Sequence, residues 1–415
     1  MNAPSTERTA PGDAQEAAEA PTLLDALARA PAAAALVVAA LERAEDRKAL
    51  RLAHPQLRDA VGEATTKLKA SATAARPPTP RRWPRLEELA FTWADLAPLE
   101  ALGTGTWGGQ RTLCVGDCAR YSPALDAPAA RALAAALRRM PALRALVLRR
   151  VALSDVAAAE LFRASSAKAA PRLRSLTLPQ AKRRPAAARA LAATGWRLED
   201  LNMDENAALG AAGVAALVAA PTFAFRRLRL FYCSLDAAAL LALADAPWPL
   251  EELDLSSNYF RAAADGPALA ALSRRVGLRR LHLFGCVFSP ANFKALVEAD
   301  WPTLTFLDAK QGTIDGPLAL DAAAFAGFPA LEELVLPTMR LDEADARLLL
   351  SRRWPRLARL DLRGAVRVSG DVVRAALARG EWPALKTLRA NADIGPLTLE
   401  DARRWAPALE ELLLD

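Results

Sequence analysis

The chain has 415 residues, of which 53% are hydrophobic and 24% charged. It is therefore neither a disordered chain nor a small disulfide-stapled scaffold, and it is long enough to bury a large core. The formal net charge of +7 is spread over the whole length, and only four cysteines and two histidines are present. These counts predict a reducing cytoplasmic or nuclear location, no metal site and no bound cofactor.

Residues 1–21 contain acidic residues and prolines without the basic-then-apolar order of a targeting peptide. We expect them to form a disordered tail. The longest apolar runs, from Ala30 to Leu41 and from Ala211 to Phe225, are shorter than the roughly 20 residues that a membrane helix needs. The sequence therefore predicts no membrane association.

Residues 22–70 have apolar residues at helical spacing and predict a small module of two or three helices, followed by a proline-rich linker over 71–82. The phrase from Ala44 to Val61 resembles the second half of an F-box, and Ala30 and Pro31 stand at its opening. The resemblance implies docking onto a Skp-type adaptor of a cullin ubiquitin ligase. The adaptor-binding residues that it implies are Pro31, Leu36, Leu41, Leu50 and Leu52. The alternative is a helical cap that shields the first repeat.

From residue 83 to residue 415 one phrase returns, as in WPRLEELAF from Trp83 and WPRLARLDL from Trp354. We call the second leucine of its Leu-x-x-Leu-x-Leu pattern the marker leucine. The markers are Leu89, Leu113, Leu146, Leu176, Leu201, Leu228, Leu253, Leu281, Leu307, Leu334, Leu360, Leu388 and Leu412. Their spacing of about 27 residues indicates a repeat protein of about thirteen coils.

Each repeat predicts a short strand, a turn and a helix. Alternating leucines such as Leu253 and Leu255 are typical of a strand with one buried face, and the stretch from Leu235 is typical of an amphipathic helix. Ser154, Asp236 and Thr398 are predicted helix N-caps. One unit buries little by itself, but stacked units share a continuous core.

Five residues after the marker, the chain leaves the strand. Asparagine or cysteine occupies this position at Cys118, Asn206, Cys233, Asn258 and Cys286. The pattern resembles the Leu-x-x-Leu-x-Leu-x-x-Asn/Cys signature of leucine-rich repeats, in which this side chain bonds to backbone between coils. The resemblance implies an α/β solenoid: a leucine-rich-repeat horseshoe with a concave parallel sheet and convex helices.

Other candidate chemistry is sparse. Gly103, Gly105 and Gly108 spell G-x-G-x-x-G, but a strand follows where a dinucleotide site needs a helix, so we expect an inter-repeat loop. Cysteines at the Asn/Cys position are expected to be structural, and Cys114 is expected to be inert. The sequence predicts no enzyme.

The remaining candidate is the concave surface. The spacing predicts one column of Asn202, Arg229, Asp254, His282 and Asp308, and a second column of Asp204, Phe231, Ser256, Phe284 and Lys310. Arg229 is expected to pair with Asp254, and His282 to lie between Asp254 and Asp308. The predicted partner-binding residues, which we call the central patch, are Arg229, Phe231, Tyr232, Asp254, His282, Phe284, Asp308 and Lys310. A solvated charge ladder is the alternative.

The sequence therefore predicts a protein-binding module, with an F-box-type substrate receptor as the leading hypothesis. The alternatives are a repeat scaffold or inhibitor without a ubiquitin role, and a GTPase-activating repeat protein. Nucleic acid is not an expected partner, because acidic and basic residues mix on the predicted concave face.

Overall fold

The structure is a computed structural model. It describes residues 67–71, 87–92, 105–116, 124–149, 151–165, 170–178, 185–336, 341–393 and 398–414. These residues all belong to one compact unit. The tail, most of the predicted helical module and the predicted adaptor-binding residues Pro31, Leu36, Leu41, Leu50 and Leu52 lie outside the described residues, as does Cys118.

Fourteen strands form one parallel sheet in chain order. They are β1 (Lys67–Ser71), β2 (Glu88–Thr92), β3 (Thr112–Val115), β5 (Ala145–Leu148), β7 (Ser175–Thr177), β8 (Asp200–Asn202), β9 (Arg227–Arg229), β10 (Glu252–Asp254), β12 (Arg280–His282), β14 (Phe306–Asp308), β16 (Glu333–Val335), β17 (Arg359–Ser369), β18 (Thr387–Asp393) and β19 (Glu411–Leu414). Helices follow many of these strands. They are α1 (Ala127–Leu137), α2 (Asp155–Ala164), α3 (Pro185–Ala192), α4 (Gly210–Val218), α5 (Ala237–Asp245), α6 (Asp265–Ala271), α7 (Pro290–Glu298), α8 (Glu343–Leu350), α9 (Gly370–Ala378) and α10 (Leu399–Arg403).

The marker leucines set the register of the sheet. Each one lies opposite the marker of the next coil, from Leu89 opposite Leu113 to Leu388 opposite Leu412. All but Leu412 on the last strand are at most 1% exposed. A one-residue slip would turn this leucine column to solvent, so the hydrophobic pattern fixes the register. The predicted solenoid of stacked strands with helices between them is confirmed.

The sheet begins one strand before the predicted boundary at residue 83. Lys67–Ser71, which the sequence assigns to the end of the helical module and the start of the linker, pairs with β2 and places Leu68 opposite Leu89. The repeat phrase is missing here, but the strand can still pair, because pairing uses backbone N–H and C=O groups that any residue except proline supplies.

Helix ends are closed by local and by neighbouring groups. Ser154, Asp236 and Thr398 accept a backbone N–H in the first turn of α2, α5 and α10, as predicted. Two tryptophans of the repeated Trp-Pro phrase close C-terminal ends: the indole N–H donates to a carbonyl of α7 from Trp301 (2.9 Å) and of α8 from Trp354 (3.3 Å). In these two coils the indole is buried with its N–H satisfied.

Arginines complete these caps across coils. The guanidinium of Arg275 donates to the Ala246 and Trp248 carbonyls after α5, and Arg379 donates to the Leu350 carbonyl at the end of α8 (2.9 Å). Cations at a helix C-terminus are favoured by the helix dipole as well as by the hydrogen bonds. Arg275 and Arg379 therefore stabilise the stack of coils.

Two features depart from a uniform strand–helix repeat. Short second strands pair beside the main sheet: β4 (Ala124–Leu125) with β6 (Ala152–Leu153), and β11 (Tyr259–Phe260) with β13 (Val287–Phe288), which pairs in turn with β15 (Thr313–Ile314). In the fully described coil between β14 and β16, turns over 322–327 replace the helix. No helix in the described ranges is long and apolar enough to cross a bilayer.

Candidate functional site

The strand residues that face away from the core lie in the register that the spacing predicts. Asn202 and Asp254 lie opposite Arg229 on either side, and His282 lies opposite both Asp254 and Asp308. One residue before the marker, Asp200, Arg227 and Glu252 form a parallel column. On this surface of β8–β14, acidic and basic side chains alternate from strand to strand.

Arg229 lies at the centre of this array of charges. Its Nε lies 3.7 Å from Oδ2 of Asp204 and 3.6 Å from Oδ2 of Asp254, so it bridges two carboxylates on the neighbouring coils. The Arg229 side chain is 53% exposed, whereas those of Asp204 and Asp254 are 15% and 12% exposed. Arg229 therefore compensates two largely buried acids and also presents its guanidinium to solvent.

The acidic residues also hold the turns that follow the strands. Asp254 accepts the backbone N–H of Ser256 (3.0 Å) and Asp308 that of Lys310 (2.8 Å). Where the strand ends in Arg229 or His282, the neighbouring coil supplies the acceptor: Asp204 Oδ1 accepts from Phe231 N, and Ser256 Oγ accepts from Phe284 N. Three acids and the Ser256 hydroxyl thus accept these four turn N–H groups.

Burial shifts the acidity of two of these carboxyl groups. It raises the pKa of Asp204 and of Asp308 above the ordinary value, although the turn N–H that each accepts opposes the rise. For Asp308 the charge of His282 also lowers the pKa. Both acids are held by hydrogen bonds while losing part of their hydration.

His282 lies between Asp254 and Asp308 as predicted, and its imidazole makes further contacts. Its Nε2 lies 3.6 Å from Oε1 of Glu252, diagonally across the preceding coil, and its ring lies 4.8 Å from the ring of Phe306. Arg280 places its guanidinium carbon 3.9 Å from the same Phe306 centroid. The imidazole packs against the Phe306 ring, and the spacing of the columns in the sequence does not predict this contact.

The aromatic members of the central patch remain at the surface. Phe231 and Phe284 are half-buried, and Tyr232 is 47% exposed in the turn after β9, with a ring centroid 6.5 Å from that of Phe231. Tyr232 has a φ of +51°, in the left-handed region that side chains adopt at a cost. Of the central patch, Arg229 also lines a depression of about 260 Å³, together with Ser175, Thr177, Asp200, Asn202, Arg227 and Glu252 among others.

Behind this surface, asparagine and cysteine join successive coils. Nδ2 of Asn206 donates to the Leu178 carbonyl (3.1 Å) and Nδ2 of Asn258 to the Leu230 carbonyl (3.0 Å). The thiols of Cys233 and Cys286 donate to the corresponding carbonyls of the preceding coils, those of Met203 and Leu255, both at 3.2 Å. The fold is that of a leucine-rich-repeat horseshoe. Burial raises the pKa of both leucine-rich-repeat thiols to about 12, so they act as donors and not as nucleophiles.

Comparisons with known proteins find fold similarity alone. No family model and no curated protein matches the chain. Among solved structures, a chain of a TLR13–ssRNA13 complex is 18% identical, with a TM-score of 0.42 over 80% of this chain and 40% of that one. A Leptospira interrogans leucine-rich-repeat protein is 15% identical, with a TM-score of 0.44 over 86% of this chain and 74% of that one. This chain thus spans less than half the length of the first.

A second polar feature, at the edge where the strands begin, has no counterpart in the expectations. Arg111, Arg144 and Arg174 stand two residues before the markers of β3, β5 and β7, and we call them the basic row. Arg144 N donates to the Arg111 carbonyl (2.7 Å) and Arg174 N to the Arg144 carbonyl (2.9 Å), so the three lie on neighbouring strands. A search for like charges in one column of the repeat alignment would have found them.

The ends of the basic row are compensated and its centre is not. Arg111 lies 3.4 Å from Glu87 and Arg174 lies 3.3 Å from Glu199, the acids on the strands that flank the row. Arg174 also donates to the Leu173 carbonyl (3.0 Å). Arg144 is exposed and forms an ion pair with no residue in the part of the chain that the structure describes.

The described end of the G-x-G-x-x-G segment packs as a loop. Trp107 is 3% exposed and Gly108 lies in a turn before β3, where a dinucleotide site would require a helix. Cys114 is half-buried on β3, and burial, with the nearby charge of Glu88, raises its pKa. Within the described ranges, no three His, Cys, Asp or Glu side chains converge in a group that could hold a metal ion.

Proposed function

We propose that this chain is a protein-binding module that holds its partner at the central patch. The supporting observation is that Phe231, Tyr232 and Phe284 keep aromatic surface in contact with solvent beside Arg229. Most of the large aromatic side chains of the described coils, such as Trp196 and Phe260, are buried in the core. Exposed aromatic residues next to arginine are typical of the residues that dominate binding energy at protein interfaces.

Quantitative affinity capture with the full-length chain tests this proposal. We expect the double variant Arg229→Ala, Phe231→Ala to lose bound proteins, since truncation of such side chains commonly costs about 2 kcal/mol of binding energy. The matched control is Leu241→Ala, Arg347→Ala, which removes an exposed apolar and an exposed basic side chain from α5 and α8. Equal capture by the wild type and both variants contradicts a role for the patch.

We further propose that the N-terminal module links the bound protein to a ubiquitin ligase. The support is the resemblance of the segment from Ala30 to Val61 to an F-box, which implies contacts of Leu36 and Leu50 with a Skp-type adaptor. Binding of a purified Skp-type adaptor to the full-length chain should be lost in Leu36→Asp, Leu50→Asp and kept in the tail control Ala17→Asp. If the adaptor does not bind the wild-type chain, the ubiquitin role is contradicted and the protein-binding proposal remains.

A further inference from the structure

The basic row is costly to the fold as it stands. Like charges on neighbouring strands repel each other and destabilise a sheet. The next residues along the strands, Thr112, Ala145 and Ser175, are neutral and supply no counter-charge. Elsewhere in the same column Arg226 is paired with Glu251 and Lys386 with Glu410, whereas Arg279 and Glu332 form no ion pair with a described residue. Three adjacent basic residues occur at no other place in this column of the sequence.

We propose that the basic row binds an acidic segment of a partner protein, whose Asp or Glu side chains neutralise Arg144 and contact Arg111 and Arg174 on either side. This inference rests on the proposed protein-binding function and names the chemistry of the partner. Arginine suits the task because its planar guanidinium can bond a carboxylate through two N–H groups. The row also continues toward the depression, since Ser175, the residue after Arg174, lines it.

The length of the row favours a short acidic segment over a nucleic acid. Neighbouring strands are about 4.8 Å apart, so the three arginines span about 10 Å, enough for two or three carboxylates. Glu87 and Glu199 end the row on either side. A phosphate backbone carries a charge at every nucleotide and would meet these acids, whereas a protein segment can change from acidic to neutral residues there.

The test uses the full-length chain and three fluorescent probes: a peptide of alternating Glu and Ser, the same peptide with Gln in place of Glu, and an oligouridylate of equal length. Binding is measured by anisotropy. Arg144→Glu is the test variant, because it places an acid between Arg111 and Arg174. Arg226→Glu is the matched control in the same column, where the native arginine is already paired with Glu251.

We expect the Glu peptide to bind the wild type and the Gln peptide to bind at least about tenfold more weakly. Affinity should fall as salt rises from about 50 to about 300 mM, because exposed charges are screened over this range. Arg144→Glu should abolish binding yet raise the melting temperature, since it converts two repulsions into attractions. Arg226→Glu should lower the melting temperature and leave peptide affinity unchanged.

Three outcomes overturn the proposal: no binding of the Glu peptide to the wild type, equal loss in both variants, or binding of the oligouridylate alone. The last would identify the row as a nucleic-acid contact. Because the capture experiment depends on the central patch, its failure with intact peptide binding would remove the proposed function and leave the acidic-segment site. Intact capture without peptide binding would remove the acidic-segment site and leave the proposed function.

Discussion

The strands β3–β7 and the strands β8–β12 share one hydrophobic scaffold, but their polar surfaces differ in charge balance. In both stretches the marker leucines are buried and paired in the same register. Around β9, Arg229 bridges two acids, whereas Arg144 on the β3–β7 side has two arginines as neighbours. The buried leucines of a coil are specified by that coil's own sequence. The charge balance of its surface also depends on the residues that the two adjacent coils supply.

The largest loss of stability should come from a buried polar side chain in the β8–β12 region. Asn258 is fully buried, donates to the Leu230 and Leu255 carbonyls, and accepts the N–H groups of Cys233 and Leu235. We expect Asn258→Ala to lower the free energy of unfolding by about 2–4 kcal/mol, because buried backbone groups lose their partners. Asn202→Ala is the control, since Asn202 is half-buried and holds one local turn. Urea unfolding measures both, and equal losses would contradict a special role for Asn258.

A smaller effect separates the two charged surfaces directly. Arg229→Ala leaves Asp204 and Asp254 uncompensated and should cost about 0.5–1 kcal/mol, the usual range for exposed ion pairs. Arg144→Ala removes a repelled charge and should leave stability unchanged or slightly increased. Thermal unfolding at low and high salt measures the difference, which should shrink as salt screens both interactions. Destabilisation by Arg144→Ala would show that the basic row supports the fold.

The smallest effect concerns pH. Burial raises the pKa of Asp308 above its value in the unfolded chain, so the native state binds the proton more tightly. The free energy of unfolding contributed by this group therefore increases as pH falls from its raised folded pKa toward the unfolded value near 4, and it is lost as pH rises through the folded pKa. Asp308→Asn should flatten this part of the stability profile, because an amide oxygen can still accept from Lys310 N. An unchanged slope would mean that Asp308 titrates alike in both states.

The sequence by itself determined the repeat, the register and the contact between Arg229 and Asp254. Each follows from spacing: leucines at a fixed offset must share one buried column, and residues at equal offsets must then be neighbours. The same reasoning predicted the N-caps Ser154 and Asp236, because a cap acts on its own first turn. These features depend on distances along the chain or on one repeat period.

Only the tertiary structure decided the features that depend on side-chain direction across coils. His282 meets Glu252 and Phe306, because an imidazole can turn toward any of several neighbours at similar distance. Arg275 closes the end of α5 because the helix of the preceding coil ends within its reach, which no spacing rule in the sequence specifies. Lys67–Ser71 joins the sheet because β2 offers backbone partners, and this strand pairs without the repeat phrase that identifies the others in the sequence.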